Sequence, residues 1–583
     1  MNDFTDAAGR WGIESEFFDV FGNRSAASPD TLRRLIEAMA ASGATPRALA
    51  PPALMRAYQG EGRRLWALAV QLYALRSRRN WGIGDFSDLA SLIALAAARG
   101  AAAIGLNPLH ALFADRAGDA SPYAPNSRLF LNPLYIDVEA IPEFEGAAEL
   151  ATEIAALRAS ELVAYARVAE VKSRGLRLAH RAFRQTASGA RRADFDSYRK
   201  EQGETLLRFA CFELLRRQYA PAPWWQWPQA WRNPGRAQLE EYRRAHDEDC
   251  EFTEFVQWTA DRQLADCVAA TRRHGMPIGL YADLAVGIDR SGADAWSAQH
   301  ATLAGVSLGA PPDELNRAGQ DWGLAPFNPH ALPDDDFAIL RQLMRANMRH
   351  AGALRIDHVL GLNRAFMIPH GSQPGAGAYV RFPFEPLLRV IAEESQRARC
   401  IVIGEDLGTV PEGFRETLAR WGLWCYRVML FERDDRGRFR SPESYPVEAL
   451  ATFGTHDLPT YQGWRDAHDL RVKRELGLDP GENDEGRAWA QQCLREVLTE
   501  RAPGYPPGDV AAVAAFLAAT PSRLAVLSIE DVLGLRDQVN IPGTVAQHPN
   551  WRRRLPVALE ELEHHDDLRR VAEAFARAGR AIR

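Results

Sequence analysis

The stretch Gly352-Ala-Leu-Arg-Ile-Asp-His-Val-Leu-Gly361 carries a short apolar run, Ala353 to Ile356, that stops on a carboxylate, Asp357. Such a run, closed by polar residues, is the pattern of a strand buried on both faces of a parallel sheet. It recurs twice downstream: Ile401 to Ile403 leads into Gly404-Glu405-Asp406-Leu407, and Ala451 to Phe453 into Gly454-Thr455-His456-Asp457. The carboxylates Asp357, Glu405 and Asp457 are 48 and then 52 residues apart. They therefore cannot share a helix or a hairpin, but each gap holds one or two strand-plus-helix units of about 30 residues. A single acid after a strand is most often a helix N-cap or a solvated loop residue. Three in the same position predict an α/β fold, a (β/α)8 barrel that gathers them at the C-terminal ends of its strands.

Outward from this stretch, candidate strands fall at 277–283, 353–357, 400–405, 424–431, 450–454 and 523–530. Leu65 to Leu72 and Ala103 to Leu106 bring the number to eight, and the alternation with helical segments suits a parallel sheet with its helices outside. Residues 1–62 are expected to be a helical leading segment. Ser28-Pro29-Asp30 offers an N-cap, an N1 proline and a first-turn acid ahead of Leu32, Leu35, Ile36 and Met39. The barrel is then expected over 63–583, with a helical subdomain inserted at about 140–275. A lid without regular structure is expected at about 305–328, where Gly309, Pro311, Pro312, Gly319 and Gly323 disfavour helix and strand while Trp322 and Phe327 offer flat faces. The plainer alternative there is an ordered surface loop with an Asx turn at Asp313.

Composition narrows the function classes. Hydrophobic residues make up 46% and charged residues 25%, ordinary values for a globular chain, and a net charge of −6 provides no basic footprint for nucleic acid. The six cysteines, at 211, 250, 267, 400, 425 and 493, form no C-x-x-C pair and read as buried free thiols of a reducing compartment. The start of the chain shows no secretory leader, and no run of about 18 apolar residues occurs, so the expected location is the cytoplasm, without a membrane. There is no H-E-x-x-H or Cys/His cluster, and His564-His565 lies in a charged helix, so no metal is expected.

The three acidic motifs resemble the catalytic segments of the 4-α-glucanotransferases, the amylomaltase or disproportionating-enzyme family related to the α-amylases. Further stretches match in the same order: Arg79 to Asp85, Ser121 to Tyr135, Gly279 to Asp289, Gly309 to Gly323, Gln538 to Val545 and Pro549 to Pro556. The resemblance runs from about Trp66 to Pro556. It implies retaining transfer between maltooligosaccharides or other α-1,4-glucans, with Asp357 as nucleophile, Glu405 as acid and base, and Asp457 steadying the transition state. It further implies that Tyr123, Asp283, Asp313, Gln320, Trp322, Arg355, His358, His456 and Asn540 contact the glucan, that neither organic cofactor nor metal takes part, and that the setting is intracellular maltodextrin or glycogen metabolism. The oligomeric state stays open.

The residues themselves add two expectations. Arg355, two positions before Asp357 on a strand, faces the same side and is expected to hold that carboxylate ionised. Glu405 has an acidic neighbour, Asp406, and no basic one in sequence, which predicts a raised pKa suited to a general acid. The cluster Pro221-Ala-Pro-Trp-Trp-Gln-Trp-Pro228 can stack on sugar rings or pack an inserted segment, and packing is favoured. Where compact members carry an aromatic and a basic residue after the Asp-His pair, this chain has Val359-Leu360-Gly361, so acceptor contacts are expected to differ. Two rivals remain: a hydrolase on the same barrel, and a silent glucan-binding or scaffold protein.

Overall fold

A computed structural model describes residues 2–18, 24–312 and 319–582. Eight parallel strands close into a barrel in chain order: β1 (Leu65–Val70), β2 (Ala103–Leu106), β3 (Gly279–Leu284), β4 (Ala353–Ile356), β5 (Ile401–Gly404), β6 (Trp424–Val428), β7 (Ala449–Thr452) and β8 (Leu524–Ser528). Strand β8 returns to β1 with Leu524 beside Leu65. All eight expected strands are present, and the α/β barrel stands. The ends differ for a local reason: Ser528 is an N-cap whose Oγ accepts from Asp531 N, so Ile529–Val532 turns helical, and Met429–Phe431 forms a 3-10 turn.

Register places the polar ends level. Arg355 on β4 lies beside Asp283 on β3 and Ile403 on β5, and Ile356 lies beside Gly404. The next residue on each strand, Asp357 and Glu405, therefore comes out at one height. The pairing continues past the formal strand ends, with Glu405 N donating to Ile356 O at 3.0 Å and Asp357 N to Leu284 O at 3.1 Å.

Between β2 and β3 lie the helices Ala147–Ala159, Tyr165–Thr186, Gly189–Tyr219 and Asp247–Arg273, the third interrupted at Gly203. The tryptophan cluster packs among them: Trp227 is 1% exposed, with its ring 5.5 Å from Phe212 and 6.3 Å from Trp296. That leaves no face of Trp227 for a ligand.

The leading segment is not only helical. Helices Asn2–Arg10 and Pro29–Ala40 flank an antiparallel pair, Glu16–Phe18 with Arg24–Ala26, and 41–62 contains no helix. Strand geometry wins here because Phe17 packs edge-on against Phe366 and Tyr379 of a second sheet. That sheet is antiparallel and five-stranded, in the order 378–381, 364–369, 306–310, 320–325, 288–289, and the sequence reading did not anticipate it.

The irregular lid expected at about 305–328 is corrected by the same sheet, because Val306–Ala310 and Gln320–Ala325 are paired strands. The glycines allow the pairing instead of preventing it. A Cβ on Gly309 would lie 2.0 Å from Gln320 O, so only glycine lets the two backbones approach. Gly323, at φ +68°, occupies the register shift between Asp321 and Leu324, a bulge position that favours glycine. Among the described residues no helix is long and apolar enough to cross a membrane. All six cysteines are free, and all but Cys425 are buried.

Candidate active site

The C-terminal mouth of the barrel holds an open cavity of about 800 Å³ whose wall includes Tyr123, Asp283, Arg355, Tyr426, His456 and Glu530. Arg355 is its hub. Nη1 donates to both oxygens of Asp283 at 2.8 and 3.0 Å, as their side-by-side register requires. Nη2 lies 2.8 Å from Asp357 Oδ1 and 3.7 Å from Glu405 Oε2. Two carboxylates reached from one nitrogen can be no farther apart than the sum of those distances. That limit admits the separation of about 5 to 5.5 Å that retaining glycosyl transfer uses.

Glu405 is fixed by backbone. Its Oε1 accepts from Leu407 N and its Oε2 from His358 N, each at 2.8 Å. The second bond forms at a turn, where His358 sits in the left-handed region at φ +48°. Asp357 receives only the Arg355 ion pair, and its Oδ2 has no donor among the described residues.

A second chain of contacts brings in the third acid. Tyr123 Oη donates to Asp283 Oδ2 at 2.5 Å and lies 3.2 Å from His456 Nδ1, with the two rings stacked at 4.7 Å. His456 Nε2 is 3.4 Å from Asp457 Oδ2, and Asn540 Nδ2 donates to Asp457 Oδ1 at 2.6 Å. Asp283, Tyr123, Arg355, His456 and Asn540 are thus joined to the three acids. Trp322 and Gln320 lie on the side of the second sheet, Trp322 edge-on to His358 at 5.4 Å and donating through Nε1 to Gln320 Oε1 at 3.2 Å. Asp313 lies outside the described residues.

Electrostatics bear on both residue-level expectations. Burial raises the Asp357 pKa; Arg355 opposes it, Asp283 and Glu405 add to it, and the carboxyl settles at about 6. Arg355 does favour the ionised form, as its place on the strand predicts, but that single guanidinium is divided among three acids and burial outweighs it, so the carboxyl is ionised only above about pH 6. Glu405 is also raised, chiefly by burial, against Arg355 and its two amide donors. Asp406 adds to the rise less than burial does, and its side chain turns away to accept from Tyr426 N at 2.9 Å and Arg415 Nε at 2.5 Å. Desolvation pushes Asp457 up, but His456 and Asn540 outweigh it and hold the carboxylate below its usual range. Burial lowers His456, but Asp457 outweighs that, so the two form an ion pair. Burial lowers His358, which favours the neutral imidazole, and burial and Asp283 keep the Tyr123 hydroxyl protonated.

Sequence reasoning missed three members of the site. Trp551, at φ +59°, closes the aromatic wall 5.4 Å from Tyr123 and 5.2 Å from His456. Gln538 Nε2 bonds the carbonyls of Asp457 and Asn540. Tyr426 lies under Arg355 at 5.6 Å. None carries a charge that marks it in a sequence. The signal in sequence was the pair of stretches Gln538 to Val545 and Pro549 to Pro556, which contain Gln538 and Trp551.

A barrel that gathers Asp283, Asp357 and Glu405 around one arginine at its strand ends has the layout of an active-site face. The sequence pattern of the 4-alpha-glucanotransferases matches residues 70–560, and the chain belongs to that family. It is 38% identical to a 4-alpha-glucanotransferase of Mycobacterium tuberculosis, over 89% of this chain and 75% of the relative. With that of Haemophilus influenzae it shares 36% identity over 87% and 77%. Among solved structures, an amylomaltase from Corynebacterium glutamicum superposes with a TM-score of 0.83 at 27% identity, covering 99% of this chain and all of that one. An amylomaltase from Streptococcus agalactiae in complex with acarbose shares the fold, with a TM-score of 0.73 at 20% identity over 89% of this chain and all of the other.

Proposed function

We propose that this chain moves α-1,4-glucan segments between maltooligosaccharides by double displacement, with Asp357 as nucleophile, Glu405 as acid and base, and Asp457 as transition-state partner. The observation that carries this reading is the shared Nη2 of Arg355, which holds two raised carboxylates within reach of one glycosidic bond. Ionised above about pH 6, Asp357 attacks the anomeric carbon through its unengaged oxygen while Glu405 gives its proton to the leaving glycosidic oxygen. Glu405, now a base, takes the proton of an incoming 4-hydroxyl, which displaces Asp357, and two inversions leave an α-linkage. Asp457, kept anionic by His456 and Asn540, faces the positive charge that develops at the ring.

Transfer differs from hydrolysis only in which hydroxyl attacks. The strands Val306–Ala310 and Gln320–Ala325 carry Gln320 and Trp322 beside His358, where an acceptor sugar would displace water. Six free thiols, five of them buried, support an intracellular setting in maltodextrin or glycogen metabolism.

The test is incubation of the purified protein with maltotriose while total reducing ends and chain lengths are followed. A ladder of longer maltodextrins with glucose or maltose, at constant reducing ends, is expected. Rising reducing ends with only shorter products would make the protein a hydrolase, and no turnover would leave a binding protein.

A further inference from the structure

The turn that carries Trp551 is strained, and the insert between β2 and β3 holds it. A bulky residue at φ +59° is unfavourable and persists only where its surroundings over-determine it. Tyr165, the first residue of helix Tyr165–Thr186, donates from Oη to Trp551 O at 2.7 Å, with both residues buried. The residues after Trp551 pair with the segment that leads into that helix. Val163 N donates to Arg552 O at 2.7 Å, Leu162 forms an antiparallel bridge with Arg553, and Arg554 N donates to Glu161 O at 3.2 Å. Packing aims the tyrosine: its ring lies 6.3 Å from that of Tyr73 and 5.7 Å from the Arg552 guanidinium.

From Trp551 the contacts run inward to the third acid. Its ring meets those of Tyr123 and His456, and its N–H donates to Val539 O at 3.1 Å. The next residue, Asn540, donates its backbone N–H to His456 O at 3.1 Å and its Nδ2 to Asp457 Oδ1 at 2.6 Å. Tyr123, His456 and Val539 line the cavity, and Trp551, 5% exposed, backs them. We propose that Tyr165 is a positioning residue for the transfer reaction: by locking the Trp551 turn it fixes the wall that keeps His456 and Asn540 on Asp457. Asp457 acts on charge that develops only as the bond breaks, so a loosened wall costs kcat and spares KM. The role of Asp457 is taken from the transfer reading; the lock itself is independent of it.

Tyr165→Phe keeps the ring and removes only the hydroxyl. On maltotriose it should lower kcat about tenfold with KM within about twofold of the parent. In a Trp551→Leu background, itself impaired, the same change should lower kcat by less than about twofold, because a residue that acts through Trp551 has nothing left to position. Hydrogen exchange with mass spectrometry reads the lock without any turnover. The amides of 549–556 should exchange about tenfold faster in Tyr165→Phe, with those of the barrel strands unchanged. Unaltered exchange at 549–556 would overturn the lock. Faster exchange with kcat unaltered, a change in KM alone, or equal kcat losses with and without Trp551→Leu would overturn the positioning role. A parent that does not turn over maltotriose would count against the transfer reading and with it the positioning role, and the exchange result would still decide the lock.

Discussion

Two arginines in this barrel each hold three carboxylates, and they do opposite work. Arg79 donates to Asp85 and Asp88 through Nη2, at 2.7 and 2.8 Å, and to Asp137 through Nη1 at 2.6 Å. Every oxygen of that trio has a donor: Asp85 and Asp88 close a capping box on helix Phe86–Ala98, Asn80 holds Asp88, and Ser87 and Glu139 N hold Asp137. Arg355 also faces three acids, but one oxygen of Asp357 has no donor among the described residues and the group opens on a cavity. A shifted pKa does not separate the two, since burial lifts Asp88 to about 6 as it does Asp357. What separates them is completion of the hydrogen bonds. The finished cluster is a clamp and the unfinished one is a site.

The contrast is most easily broken by exchanging charge for shape. Asp357→Asn should lower maltotriose disproportionation by about 10⁴-fold or more, whereas Arg79→Met should leave turnover per folded molecule within about twofold. Equal losses in both would remove the distinction.

Stability should divide them the other way. Arg79→Met strands three acids, and because its side chain is 36% exposed the cost is discounted to about 2 to 3 kcal/mol, read as a lower denaturation midpoint. Asp357→Asn should instead stabilise the protein at pH 7.5. A carboxyl whose folded pKa is raised stabilises the fold below its unfolded value of 3.8 and loses that contribution as pH climbs through about 6. The advantage of the Asn variant should accordingly shrink between pH 6 and pH 4. A variant less stable than the parent at pH 7.5 would contradict the assignment of strain to Asp357.

The pH profile of kcat/KM sharpens the same point. It should fall about tenfold per unit below pH 6, where Asp357 takes up its proton. Asp283→Asn, which removes a neighbouring negative charge, should move that acid limb to lower pH whatever it does to the maximum. A far smaller loss than that of Asp357→Asn is expected of Asn540→Ala, which deletes one bond to Asp457 and should cost roughly tenfold in kcat/KM with the fold intact.

The barrel was legible in the sequence because buried parallel strands are written as short apolar runs, and the acids because each closes one. The five-stranded sheet was not. Its strand Gln320–Ala325 alternates half-buried and exposed residues up to Gly323 and then ends in two buried ones, and the sheet reaches as far along the chain as Ala378–Arg381, so glycine content argued for a loop where backbone pairing decided for a strand. The site divided in the same way. Asp357, Glu405, Asp457 and their basic neighbours are chemically marked, whereas Trp551 and Tyr426 contribute only rings. The sharing of Arg355 among three acids depends on strand register, which a linear reading of Arg355-Ile356-Asp357 could not supply.

The central claim, that Asp357 is the group that attacks, is tested most directly by trapping. Glu405→Gln would be incubated with an α-maltotriosyl fluoride that lacks its non-reducing 4-hydroxyl, then digested and peptide-mapped by mass spectrometry. Fluoride leaves without an acid, and without a base the intermediate persists. A maltotriosyl adduct on the peptide containing Asp357, absent in Asp357→Asn/Glu405→Gln, is the predicted result. A sugar attached to any other carboxylate, or none attached while the fluoride is still consumed, would contradict it.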